Sequence, residues 1–168
     1  THDDTSHSFS ANNNFYYIPD SELHAQFDMN AGAIEAYQEK PAKATGNNRF
    51  DAYPHINDWY ETIKLNYGVD YMNGGYTHFD PIPDTWNKML DILLFWASKK
   101  IDGFRCDMAE MVPVEFWEWA IPQVKKNYPN IDYSVGKRIL PIYPKYHTTL
   151  LPDSQLKTER DVDFIDNV

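Results

Sequence analysis

Apolar and polar positions follow two regimes along this chain, and the change comes at Pro83. Beyond it, Trp86, Met89, Leu90, Leu93, Trp96 and Ala97 recur at intervals of three and four, the spacing that gathers side chains on one face of an α-helix. Asp84 or Thr85 can cap the start, and Lys99 and Lys100 suit the negative end of the helix dipole, so the pattern predicts a helix here. After a turn at Asp102 and Gly103 comes "FRCDM", too short for a helix, which predicts a strand buried on both faces. A second helix is predicted to open at Pro113, to carry Phe116, Trp117, Ala120 and Val124, to kink at Pro122 and to stop at "NYP", residues 127–129. "IDYSV", residues 131–135, alternates as another strand would. Helix, strand, helix, strand in close succession predicts a parallel α/β layout.

Residues 1–80 lack any such period. They are rich in Asn, Asp, Gly, His, Ser and Tyr, as in "HDDTSHSFSANNNFYY", and predict a long, irregular, loop-rich excursion. Loops of that length in compact domains usually serve function. The chain's 168 residues suffice for one domain, or for part of a larger one.

Charge narrows the partners. Fifteen Lys and Arg against 25 Asp and Glu give a net charge of -10, which disfavours nucleic acid and anionic membrane and suits neutral or cationic ligands. Aromatic residues make up 15% of the chain, enough to fill cores and also to line a site for flat, weakly polar ligands such as sugars. Cys106 is the single cysteine and excludes an intramolecular disulfide. No run of 18 apolar residues and no signal-peptide pattern occurs, so no membrane segment is predicted in this chain. The sequence begins at Thr1, so an upstream leader is compatible with it and the compartment is unreadable from these residues.

The candidate chemistry lies in "IDGFRCDMAEMVP", residues 101–113. On a strand, Arg105 and Asp107 point one way while Phe104 and Cys106 point the other. Asp107 falls at the carboxyl end of the strand, where parallel α/β sheets keep their reactive groups. An adjacent guanidinium favours the ionised carboxylate, as a nucleophile or electrostatic stabiliser requires. Read from R-x-D alone, a buried structural ion pair fits equally well.

The longer string "GFRCDMAEMVP" resembles the second conserved motif of the alpha-amylase family of glycoside hydrolases, glycoside hydrolase family 13. "IKLNYGVDY" and phrases such as "PAKATGNNRFDAYP" are similar to the domain B excursion of its starch-degrading bacterial members. The resemblance covers residues 1 to about 130. It implies part of a (β/α)8 TIM barrel, around strands four and five, with residues 1–80 as domain B, residues 81–135 as the middle of the catalytic barrel, and missing parts of the same barrel expected elsewhere. The implied function is retaining cleavage of α-1,4-glucans such as starch and maltooligosaccharides, with Asp107 as nucleophile and Arg105 orienting it. Glu110, Asn66 and Tyr67 become substrate contacts by the same resemblance, with Glu110 and Met111 standing where many members carry Lys-His. Calcium is a possible cofactor with no residues assignable to it, and a secreted, periplasmic or cell-surface location is implied.

The resemblance stops short of a complete catalytic set. Retaining glycosidases need a second carboxyl group as acid, about 5 to 5.5 Å from the nucleophile. The family's acid ends the fifth strand, and Gly136 stands near that place here. No glutamate occurs between Glu118 and Glu159, and Glu159 lies in the polar stretch "LKTERDVD", which reads as solvated surface. Residues 136–168 depart from the family, as either a changed reading frame or true divergence would produce. The chain alone is therefore expected not to hydrolyse glucan, and a non-catalytic carbohydrate-binding or pseudoenzyme segment is the alternative.

His2, Asp3 and Asp4 with residues 12–14 offer oxygen ligands of the kind calcium takes, without EF-hand spacing, and read as a solvated polar loop. The histidines lack zinc-site spacing, so no metal ligands are assigned. Cys106, on the apolar face, reads as a small buried side chain. Trp59, Tyr60, Tyr67 and Tyr71 can either stack on sugar rings or pack the excursion. Glu115 and Glu118 read as the solvated side of the second helix.

Overall fold

The computed structural model describes residues 3–135, and for Tyr133, Ser134 and Val135 the backbone alone. Residues 136–168, with Gly136 and Glu159, lie outside the described residues, as do Thr1 and His2. The chain divides into two compact units, residues 1–87 and 88–168. The first unit runs four residues past the change of pattern at Pro83 and takes in Trp86, which packs on Phe79 with ring centroids 5.0 Å apart and donates its indole N–H to the Tyr67 carbonyl at 3.0 Å.

The first unit is as irregular as its composition predicts. Four two-residue strands make two antiparallel pairs: β1 (Tyr17–Ile18) with β2 (Ala42–Lys43), and β3 (Val69–Asp70) with β4 (Tyr76–Thr77). Ladders this short contribute little, so side chains must hold the unit. Tyr16 is fully buried, its ring packs against Phe9, Phe50 and Tyr71, and its hydroxyl donates to the Val69 carbonyl. The β3–β4 hairpin turns through Tyr71–Asn73, where Asp70 accepts from the Asn73 backbone N–H at 3.2 Å and Gly74 takes the left-handed conformation that ends the turn.

Helix α1 spans Asp84–Ala97, as the three-and-four spacing predicts. Trp86, Leu90 and Ala97 are buried, but Trp96, expected on the same face, is 50% exposed beside Phe95 at 53%. Helical spacing fixes which side chains share a face, not what covers it.

The second unit follows the expected order. Strand β5 (Gly103–Cys106) leads through a 3₁₀ turn at Ala109–Met111 into helix α2 (Val114–Asn127), which returns to β6 (Asp132–Val135). The two strands pair in parallel, Gly103 opposite Asp132 and Cys106 opposite Val135. Pro113 sits at the N-cap of α2, and Pro122 lies within the helix on its exposed side. Phe116, Trp117, Ala120, Ile121 and Val124 form its buried face. Glu115 is exposed and Glu118 only partly so. One expectation fails: β5 is not buried on both faces, because Arg105 is exposed and its neighbours are only half-buried. Among the described residues its single ladder partner is β6.

Candidate active site

The site is built where β5 ends. Burial alternates along it, with Phe104 and Cys106 half-buried and Arg105 and Asp107 exposed, so the two charged residues occupy one side of the chain. Burial pushes the Cys106 thiol up to about 12, which leaves it protonated and without nucleophilic power at neutral pH. Asp107 lies one residue past the strand, and its carboxylate accepts the Met108 backbone N–H at 3.1 Å. Met108 takes a left-handed conformation, φ 48°, where side-chain-bearing residues are disfavoured. That kink ends the strand directly after Asp107 and turns the chain into Ala109–Met111, a placement typical of functional loops.

Two features pin this corner. A Cβ on Gly103 would lie 2.7 Å from the Asp132 carbonyl oxygen, so only glycine lets β5 and β6 approach this closely. Trp117 donates its indole N–H to the Ala109 carbonyl at 3.2 Å, tying the loop to α2. Glu110 sits in the 3₁₀ turn, partly exposed.

Asn66 and Tyr67 belong to the first unit and the corner to the second. Asn66 has no exposed surface; its side-chain N–H donates to Ser10 O at 2.7 Å and its Oδ1 accepts Gly68 N–H at 2.8 Å. Tyr67 is buried as well. Both are packed inside the first unit, and Asn66 keeps its partners because leaving a buried amide unpaired costs about 1–3 kcal/mol. Tyr71 touches Tyr16 and Phe50 yet keeps 38% exposure, close to the 41% of Trp59.

The acidic loop near the start folds on itself. Asp3 accepts from the Asn14 backbone and side chain and from the Tyr17 hydroxyl, and Asp4 accepts from Ser6 and meets His7 at 3.0 Å. Those bonds hold Asp4 below the usual carboxylate range. Among the described residues no group of three or more His, Cys, Asp or Glu side chains is placed to hold a metal, and no helix is long and apolar enough to cross a membrane.

Sequence reasoning passed over Glu39 and Lys43, which the structure joins at 3.3 Å with the Tyr37 hydroxyl also on Glu39. Their spacing of four was visible, but inside an aperiodic stretch nothing signals burial.

The described arrangement is an exposed carboxylate just past a parallel strand of a strand–helix–strand unit, with an arginine two residues before it, the position where parallel α/β proteins commonly place reactive groups. Comparison with known proteins matches part of the chain to enzymes. The alpha-1,4-glucan:maltose-1-phosphate maltosyltransferase of Picrophilus torridus is 39% identical over 46 residues, 27% of this chain and 7% of that protein. The enzyme of the same name from Cereibacter sphaeroides is 36% identical over 50 residues, 30% of this chain and 8% of that protein. That from Pseudomonas aeruginosa is 29% identical over 62 residues, covering 37% and 9%. The matched stretch thus spans less than a tenth of each relative's length. No family model and no solved structure matches the chain.

Proposed function

We propose that this chain is part of an α-1,4-glucan-processing enzyme of the alpha-amylase type, with β5 and β6 as neighbouring strands of a (β/α)8 barrel. The observation that carries the reading is "GFRCD" ending a parallel strand, with Asp107 exposed directly before the Met108 kink. In this reading the Asp107 carboxylate attacks the anomeric carbon of a glucosyl unit. The bond from that carbon to the leaving oxygen breaks, the departing oxygen takes a proton from a separate acid, and a covalent glycosyl ester remains. An acceptor hydroxyl then displaces Asp107 and restores the original configuration. Arg105 helps to orient the carboxylate, and Glu110 contacts the sugar beside it.

The acceptor decides the reaction class. Water would give hydrolysis, as the motif resemblance alone implies. A sugar hydroxyl would give transfer, and the names of the partial relatives favour transfer of maltosyl units onto α-1,4-glucan. The described carboxyl groups that follow Asp107 are Glu110, Glu115, Glu118 and Asp132; Glu115 and Glu118 ride on α2, and Asp132 starts β6 at the opposite end from Asp107. The proton donor is therefore assigned to none of the residues on α2 or β6.

The test uses a complete protein carrying this sequence. Asp107→Asn should lower glucan processing by at least about a thousandfold, as loss of a nucleophile does. Activity retained within about tenfold of the parent would sink the assignment. Phosphate release from maltose 1-phosphate with glucan elongation identifies transfer, and reducing sugar from starch alone identifies hydrolysis.

A further inference from the structure

Residues 23–63 enclose a cavity of about 300 Å³, at the small end of the range for small-molecule sites. Leu23, Tyr37, Tyr60 and Ile63 supply its apolar and aromatic wall, and Glu39 with Lys43 its charged one. Tyr37 and Ile63 are exposed, which leaves the cavity open to solvent.

Glu39 is a built feature. It is buried, at 8% exposure, and its carboxylate accepts from the Tyr37 hydroxyl at 2.6 Å, from the Lys43 backbone N–H at 2.6 Å and from the Lys43 ammonium at 3.3 Å. A carboxylate offers about four acceptor sites and an ammonium three donors, so this pair keeps capacity for ligand hydroxyls after satisfying itself. A purely apolar guest would leave that capacity unused inside the wall, at a desolvation cost.

Charge excludes another class. Among the described lining residues Lys43 is the one cation and Glu39 cancels it, while Glu61 adds a negative charge. Nothing remains to neutralise a phosphate. An uncharged ring with one apolar face and a fringe of hydroxyls matches all of these features: its face meets the aromatic and aliphatic wall and its hydroxyls meet the ion pair.

We infer that this cavity binds one or two neutral glucosyl units of an α-glucan and rejects sugar phosphates. The identity of the sugar rests on the α-glucan reading above; the cavity, its ion pair and its charge balance do not.

The experiment titrates the full chain with maltotriose, cellotriose and maltose 1-phosphate, following binding by calorimetry and by NMR shifts at residues 23–63. Two variants at exposed lining positions keep the fold: Tyr37→Ala removes an aromatic wall, and Ile63→Arg fills the mouth. Cooperative melting of each confirms folding. Maltotriose is expected to bind, maltose 1-phosphate to bind at least about tenfold more weakly, and both variants to weaken maltotriose by about tenfold or more.

Maltotriose affinity untouched by both variants would overturn the cavity proposal while leaving the α-glucan reading intact. Absence of binding by the folded parent, or preference for the phosphate, would overturn it as well. Cellotriose bound in place of maltotriose, and lost in the variants, would keep the cavity as a sugar site but remove the α-glucan assignment.

Discussion

Lys64 shows how one residue can set a pH dependence. It is buried in the loop-rich unit, with its ammonium 3.2 Å from the Gly46 carbonyl and 5.0 Å from the centre of the Tyr71 ring. Those contacts only partly replace water, and burial pushes its pKa down to about 8 from an ordinary 10.5. Between these values the unfolded chain holds the extra proton, so stability rises with pH across that window; below it the ammonium is charged in both states and its burial cost is felt in full. Tyr16 and Tyr17 act with the opposite sign. Burial raises both phenols above their usual 10, with Asp3 adding to the effect at Tyr17, so ionisation of the unfolded chain lowers stability at higher pH. Burial of the Cys106 thiol, raised from an ordinary 9 to about 12, has the same sign as the phenols and offsets Lys64 above pH 9, so urea midpoints should climb from pH 8 to about 9, level off, and fall beyond 10. Lys64→Met should flatten the climb and keep the fall; a climb unchanged in the variant would assign it to another group.

At the scale of elements, two residues of the second unit bear opposite loads. Gly103→Ala would place a Cβ 2.7 Å from a main-chain oxygen of β6, a neighbour that cannot swing aside, so it should cost roughly 1–3 kcal/mol, the range for overpacking. Pro122→Ala should act in reverse. An interior proline removes a helical N–H and crowds the carbonyl of residue 118, and α2 runs through it only because Phe116, Trp117, Ala120, Ile121 and Val124 pin the helix by burial. Restoring the hydrogen bond should raise stability by about 1–3 kcal/mol, read as a higher melting temperature with unchanged helical signal. These elements were also the legible ones. Trp86 to Ala97 and Phe116 to Val124 repeat at helical spacing, and "FRCDM" and "IDYSV" are short enough to be strands, so α1, β5, α2 and β6 could be predicted in order. Strands β1 to β4 could not, because two residues carry no period and β1 joins a partner some two dozen residues away. The same limit applies to sites. Arg105 and Asp107 stand in a recognisable string, whereas Asn66 looks like a surface residue in sequence and is buried by contacts with Ser10 and Gly68, and Glu39 meets Tyr37 and Lys43 in a cavity that no pattern marks.

For the whole molecule, a net charge of -10 competes with an uncovered apolar surface. Ile92, Phe95 and Trp96 are about half-exposed and stand three and four apart on α1, so they share one face of it. Covering the exposed half of three such side chains is worth roughly 3 kcal/mol per copy at about 1 kcal/mol each, or about 6 for a symmetric pair. Loss of translational freedom on association consumes much of that, so the favourable remainder is small. Against it stands repulsion between two chains of charge -10, which salt screens over about 10 Å at 0.1 M. Association should accordingly be weak, and it should strengthen as salt is added, the reverse of an interface held by ion pairs. Sedimentation velocity across a hundredfold range of concentration, in low and in moderate salt, would show the mean mass rising with both. Phe95→Ser with Trp96→Ser changes no charge and removes most of the apolar face, so the variant should stay monomeric throughout. A parent whose mass falls as salt rises would place the contact on charged residues instead and exclude the α1 face as its cause.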